Sequence, residues 1–379
     1  MNTAVIVFAK RTAIGKVGGM FKNIPPEKLG ASVIQALLNE SNINPNQIDE
    51  VILGNAIGPG GNIARLTALT AGLPVEVPAV TIDRQCGSGL EAINIACRLI
   101  QAGAGDIYIA GGIESSSLAP WKLEKPSTIY GTPTLFTRAR FSPESIGDPE
   151  MGVAADNVAE VYQISREDQD QFSFNSHQKA LQAQAENRFN KEIVSVSGKD
   201  KDEGPRGSIS MKILSRSQPI FTEAGTVTAG NACAINDGAA AVLVMSEKKC
   251  HQLGLEPVLK FIDATSAGVD PNLLGIGPIP AVRKLLERTK LTIQDIDLVE
   301  FNEAFASQVL ASTNELGIPH DRLNIGGGAL AFGHPYGASG AILVTRLWTE
   351  MQRTNGIRGI ATLGIGGGLG LATLFERYE

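Results

Sequence analysis

The chain has 379 residues, 43% of them hydrophobic, with 39 acidic against 33 basic side chains and a net charge of -6. That length can bury a large core in two or three domains, and the acidic total leaves no global basic field to attract nucleic acid. No stretch approaches about 18 uninterrupted apolar residues, which argues against a membrane span. Cys86, Cys97, Cys233 and Cys250 lack the spacing and the clustered histidines of a zinc site or a disulfide framework, so no metal is expected.

The opening run MNTAVIVFAKRTAIG reads as a short strand, not as a basic segment leading a long apolar one. No leader is expected, and unpaired cysteines fit a reducing cytoplasm. A second apolar strand follows in IDEVILGNAI, residues 48–57, which runs into a turn bearing an asparagine. Residues 79–82 form a third. From Leu90 the apolar positions Leu90, Ile93, Cys97 and Ile100 lie on one face of a helix. Cys86 stands just before that helix's first turn, where unpaired N–H groups and the helix dipole favour an anion. Such a setting can lower a thiol pKa from about 8.5 to roughly 3.5–7.5, and Gly87 and Gly89 leave room for a bulky ligand. The alternative for Cys86 is a buried structural cysteine.

The strand at residues 107–110 ends at Gly111-Gly112, and the regular pattern stops at residue 118. Residues 118–235 read as an insert, with Pro120, Pro126, Pro133, Pro143 and Pro149 in irregular sequence. It goes on to a helix that carries Phe172 and Leu181 and begins at a Ser165/Asp168 cap. His177 falls in the polar part of that helix. A charged run, KDKDE, covers residues 199–203.

The pattern of the first half then returns. DIDLVEFNEAF at residues 295–305 parallels residues 48–57. A strand at 323–325 leads into GGGALAFGHPYGASG, a helix over 341–351 and a strand at 359–363. Ser339-Gly340 matches Ser88-Gly89, and GAAAVLVMS at 238–246 matches GLGLATLFE at 368–376. Two duplicated α/β halves are implied, with mostly parallel sheets covered by helices on both faces. The expected division is residues 1–117 plus 236–255 for the first half, 118–235 for the inserted domain and 256–379 for the second half.

The duplication pairs the Cys86 loop with the loop that holds His334. A thiol and an imidazole brought together in this way make a nucleophile and its base. Asn302 and Glu303 follow a buried strand, and Asn302 could equally be a helix cap. The glycines 366–368 can offer free N–H groups to an oxyanion. Other motifs fail: GGGALA is half a dinucleotide fingerprint with no helix directly after it, and there is no GxSxG elbow and no phosphate loop.

Taken together, DRQCGSGLEA, GTVTAGNACAINDGAAA, GVDPNLLGIGPIPA, NEAFA, GGALAFGHPYGASGA and GIGGGLGLA resemble the thiolases, in particular their acetyl-CoA acetyltransferase branch. The resemblance implies an αβαβα core of two halves with an inserted loop domain. It implies that Cys86 is acylated by an acyl-CoA and that His334 activates the thiol. With a water held by Asn302, His334 would polarise the thioester carbonyl. N–H groups of Cys86 and Gly366 would stabilise the oxyanion, and Glu303 would orient the polar network. Met151, Arg206, Phe221, Cys233 and Phe305 match the coenzyme A pocket, and Lys199, Lys201, Lys212 and Arg216 near Arg206 could add attraction for phosphates or be plain solvated surface. It further implies no prosthetic group and a homodimer or tetramer. The match is weakest between residues 117 and 148, where that branch carries its tetramer loop.

One position departs from the family. Gly364 in GIGGG stands where thiolases carry a second catalytic cysteine, the proton-moving base of carbon–carbon chemistry. Such help is typically worth about 10² to 10⁴ in rate. Acylation of Cys86 is expected to survive, Claisen and thiolysis steps to be slow, and Gly364→Cys to speed them, unless Cys233 substitutes as base. Acyl transfer to another acceptor, decarboxylative condensation, acyl-CoA hydrolysis and a non-catalytic coenzyme A-binding subunit are the alternatives.

Overall fold

The computed structural model describes residues 2–136 and 138–378, so Met1, Thr137 and Glu379 lie outside the described residues. Its principal strands are β1 (Ala4–Thr12), β2 (Glu50–Gly54), β3 (Ala79–Ile82), β4 (Ile107–Ser115), β5 (Asn236–Ser246), β6 (Leu259–Gly268), β7 (Leu298–Phe301), β8 (Arg358–Ile365) and β9 (Leu369–Arg377). They pair in the order β7-β8-β9-β6-β1-β5-β4-β2-β3, so the sheets of the two halves join at an antiparallel β1/β6 seam. The sheet is mixed and not mostly parallel as expected: β2 pairs in parallel with β3 and β4, and β7 with β8, while β8/β9, β9/β6, β6/β1, β1/β5 and β5/β4 are antiparallel because β5 and β9 return directly beside the strands they close.

Strand residues alternate between two apolar layers, as a period of two requires. In β1, Ala4 and Ile6 face the central cluster, while Val5 and Val7 face an outer one. The centre is filled by α3 (Ser88–Ala102) and α8 (Tyr336–Thr354), with Leu90, Ile93, Cys97 and Ile100 of α3 fully buried. Outer layers are built by α1 (Pro26–Ser41) and α2 (Ile63–Thr70) on one side, and by α6 (Pro278–Thr289) and α7 (Ala306–Leu316) on the other. The layering is αβαβα, the expected fold class.

Ser88-Gly89 and Ser339-Gly340 mark where α3 and α8 cross. A Cβ on Gly89 would lie 2.7 Å from the Gly337 carbonyl oxygen, and one on Gly340 would lie 2.3 Å from the Leu90 nitrogen. Only glycine permits that approach. Glu114, buried at the end of β4, locks the crossing. Its carboxylate accepts hydrogen bonds from Asn55 Nδ2 (2.8 Å) and Ala56 N (2.9 Å) in one half and from Gly337 N (3.0 Å) in the other.

Some expected elements differ. The strand at 107–110 runs on through Gly111-Gly112 to Ser115, because β5 pairs with it along that whole length. The strand at 323–325 reduces to a single bridge between Val299 and Leu323. Asn324 turns to φ +42°, and its side chain replaces the ladder by accepting from Phe301 N (2.7 Å) and donating to Phe301 O (2.9 Å). In the insert, α4 (Met151–Val161) precedes α5 (Arg166–Ala185), where Ser165 Oγ accepts from Asp168 N at 3.0 Å. His177 of α5 is buried, not on a polar face.

Candidate active site

The chain enters the Cys86 loop from β3 and tightens at once. Gln85 adopts φ +49°, its N–H donating to Asp83 Oδ1 at 2.7 Å, and Ser88 Oγ donates to Gln85 O at 2.6 Å. Cys86 is left two residues before α3, partly exposed, with the backbone N–H groups of Gly366 and of Cys86 itself at its sulfur. Those donors come from opposite halves of the duplication.

The same cavity, about 690 Å³, is bordered by Cys86 and His334. His334 is 2% exposed, and its backbone N–H is held by Ala234 O (3.0 Å) and Asn236 Oδ1 (3.1 Å). Ser339 Oγ donates to Pro335 O at 3.1 Å, so it accepts from His334 Nδ1, 2.5 Å away. That fixes the proton on Nδ1 and makes Nε2 the acceptor, where it takes a long hydrogen bond donated by Asn302. Asn302 Nδ2 lies 3.4 Å from Nε2. The imidazole is oriented as a base.

Burial decides the charge state. It pushes the Cys86 thiol up to about 11, against the two backbone N–H groups, with Glu114 and Asp83 adding to the rise. It also drives His334 down to about 3. The lowered thiol pKa expected from the helix terminus is reversed, because removal from water costs the anion more than a few backbone dipoles return. Near neutral pH the pair is thiol and imidazole, not thiolate and imidazolium. Alkylation of Cys86 by iodoacetamide, followed by peptide mass mapping, is therefore expected to quicken about tenfold per pH unit from pH 7 to 10. A plateau below pH 8 would show a preformed thiolate.

Met151, Arg206, Phe221, Cys233, Phe305 and Gly366 border this cavity too, with Lys16 and Arg138 as further basic groups. Phe221 and Phe305 meet edge to face, 6.2 Å between centroids. Arg206 packs its Nη2 3.2 Å from Nε2 of His177, which burial and Arg206 push down to about 4. Glu303 is placed differently: its carboxylate takes hydrogen bonds from Ser176 Oγ (2.6 Å), Asn324 Nδ2 (2.8 Å) and Leu330 N (3.1 Å). It braces the loop that leads to His334 and does not touch the imidazole. Lys199 and Lys201 are exposed and do not border the cavity.

Gly364 also borders the cavity, with little space behind it. A Cβ there would lie 2.7 Å from Gly275 Cα and 2.9 Å from Gly275 O, so a cysteine at 364 could act only after backbone displacement. Tyr336 and Gln308, which border the cavity, were not singled out from the sequence. Tyr336 stacks edge-on against His334, 4.9 Å between centroids, and it sits in the quoted HPYGASG loop, so its signal was present. Arg138, stacked on Phe141 and paired with Asp148 at 3.0 Å, lies in the irregular insert and had none.

Comparison with known proteins gives concordant findings. Residues 4–248 match the model of the thiolase N-terminal domain, and residues 255–377 match that of the thiolase C-terminal domain. A Staphylococcus epidermidis protein named "Putative acetyl-CoA C-acetyltransferase VraB" is 49% identical over 384 residues, covering 100% of this chain and 99% of that protein. A Staphylococcus aureus protein of the same name is 48% identical over 384 residues, covering 100% of both. The crystal structure of the Bacillus anthracis acetyl-CoA acetyltransferase superposes with a TM-score of 0.93 at 37% identity, covering 100% of this chain and 99% of that one.

Proposed function

The chain belongs to the thiolase family, and on that premise we propose that it is an acyl-CoA C-acyltransferase working through an acyl-Cys86 thioester. The observation that carries this reading is the single cavity bordered by both Cys86 and His334, with the Gly366 N–H at the sulfur. Cys86 Sγ attacks the thioester carbonyl while its proton passes to His334 Nε2. Because the resting thiol and imidazole are both neutral, transfer accompanies the attack and does not precede it. The oxyanion forms against the N–H groups of Cys86 and Gly366. Collapse expels the coenzyme A thiolate, which takes the proton back from His334. In the second half-reaction the water held by Asn302 polarises the incoming carbonyl, joined by His334 while its Nε2 carries a proton. Glu303 positions the loop.

Coenzyme A and acyl-CoA are the substrates in this reading, and no prosthetic group takes part. Lys16, Arg138 and Arg206 along the cavity suit a phosphorylated ligand, while Met151, Phe221, Phe305 and Cys233 suit its pantetheine arm. Gly364 takes the place of the family's second cysteine, and Gly275 closes the space behind it. The reading therefore favours acyl transfer over proton-dependent Claisen or thiolysis chemistry. The same feature favours a second reading, decarboxylative condensation or transfer to another acceptor, in which no α-proton is removed. Self-association is supported by Trp121, Ile129 and Tyr130 of the insert, which are 84%, 93% and 96% exposed.

Rapid-quench intact mass with acetyl-CoA, set beside steady-state cleavage of acetoacetyl-CoA by coenzyme A, tests the proposal. The expected result is a single acetyl adduct that forms at least about 10²-fold faster than cleavage turns over. Absence of any adduct would overturn acyl-enzyme chemistry. Cleavage as fast as acylation would mean that another group does the work of the missing base.

A further inference from the structure

Tyr336 puts an unengaged hydroxyl near the reacting sulfur. It is the first residue of α8, and its backbone is fixed on both sides: Pro335 precedes it, and the next N–H, that of Gly337, donates to the Glu114 carboxylate at 3.0 Å. The ring stands edge-on to His334, at 81° and 4.9 Å between centroids, and it borders the cavity shared by Cys86, Cys233 and His334. The side chain is half-buried, yet its hydroxyl has no hydrogen-bond partner among the described residues and is not sealed from solvent. Burial pushes this phenol up, and the sulfurs of Cys233 and Cys86, in that order, add to the rise, followed by Glu114. The hydroxyl therefore keeps its proton and lies within electrostatic reach of both thiols. A phenol so placed is a donor without an acceptor, and a bound ligand brings one.

The other donors of the site narrow what that acceptor is. When Cys86 attacks a thioester, the carbonyl oxygen is met by the N–H groups of Cys86 and Gly366. Of the two further substituents on that carbon, a saturated acyl group accepts no hydrogen bond, whereas the leaving sulfur gathers charge as its bond to carbon breaks. Cys233, the thiol that acts more strongly on Tyr336, borders the part of the cavity assigned above to the pantetheine arm, which ends in that sulfur. We propose that Tyr336 is a further catalytic residue, its hydroxyl donating a hydrogen bond to the coenzyme A sulfur as the thiolate departs and again as it returns to acyl-Cys86. The phenol keeps its own proton throughout, and the proton that neutralises the thiolate is the one held by His334. The proposal rests on the acyl-Cys86 reading above.

Tyr336→Phe keeps the ring beside His334 and removes only the hydroxyl. Its rapid-quench acylation is compared for two donors: acetyl-CoA, whose alkyl thiolate leaves reluctantly, and S-phenyl thioacetate, whose less basic aryl thiolate leaves without help. The adduct is followed by intact mass and located at Cys86 by peptide mapping. Loss of the hydroxyl is expected to slow acylation by acetyl-CoA about ten- to hundredfold and acylation by the aryl thioester less than about threefold. The readout is a ratio within one protein, so a partly unfolded variant does not distort it, and Tyr336→Leu supplies the same ratio if the Phe protein does not fold. Equal slowing with both donors would mean that Tyr336 only packs against His334, and it overturns the proposal, as does no slowing with either. Absence of an adduct from both donors in the unaltered protein overturns the acyl-Cys86 reading itself, an outcome that does not involve residue 336.

Discussion

A Cys86→Ala protein given acetyl-CoA is expected to gain no acetyl mass, and its acyl transfer is expected to fall on the order of 10⁴- to 10⁶-fold. The prediction discriminates because a second thiol borders the same cavity. Cys233 is partly exposed like Cys86, but burial pushes it higher, and no N–H from the opposite half is placed on its sulfur. Cys97 and Cys250 are buried away from the cavity, one in the central apolar cluster and one in an outer cluster. Cys233→Ala is therefore expected to keep the adduct. An adduct that survives Cys86→Ala and disappears with Cys233→Ala would move the nucleophile to Cys233.

His334→Ala is expected to slow formation of the adduct by about 10² to 10⁴, with coenzyme A affinity changed far less. A thiol near pKa 11 needs its proton removed during attack, and His334 Nε2, which in the resting site accepts only a long hydrogen bond from Asn302 Nδ2 (3.4 Å), is the acceptor proposed to take it. The pH profile adds a second test. With His334 held near pKa 3, acylation should show no falling limb around pH 6, where an ordinary histidine would protonate. The sign for stability follows from the same shift. Between about pH 6.5 and 3 the unfolded chain binds a proton that the folded chain refuses, so His334 lowers stability as pH falls through that window. His334→Ala should flatten that part of the stability curve, as followed by urea denaturation. A limb near pH 6 in the acylation rate would show an imidazole more solvated than its 2% exposure implies.

Much of the site was legible because its signals are local. The helix face of Leu90, Ile93, Cys97 and Ile100, the loop placing Cys86 before it, and the matched Ser-Gly pairs are all written within a few residues of one another. The crossing of α3 and α8 adds the physical reason for those pairs, since each glycine sits against the other helix's backbone. Other features had no local trace. The loss of the strand at 323–325 depends on Asn324 satisfying Phe301, and the brace made by Glu303 depends on Ser176 from the insert.

Sequence by itself determined the duplicated α/β architecture and supplied the candidates for nucleophile and imidazole partner proposed above, because periodicity, glycine placement and residue identity are properties of neighbouring letters. Only the tertiary structure decided that burial pushes the thiol up and the imidazole down, that Gly275 fills the space behind Gly364, and that Gln308 Nε2 is left without a partner among the described residues. Desolvation and close packing arise between segments brought together by folding, and no short stretch of chain records them.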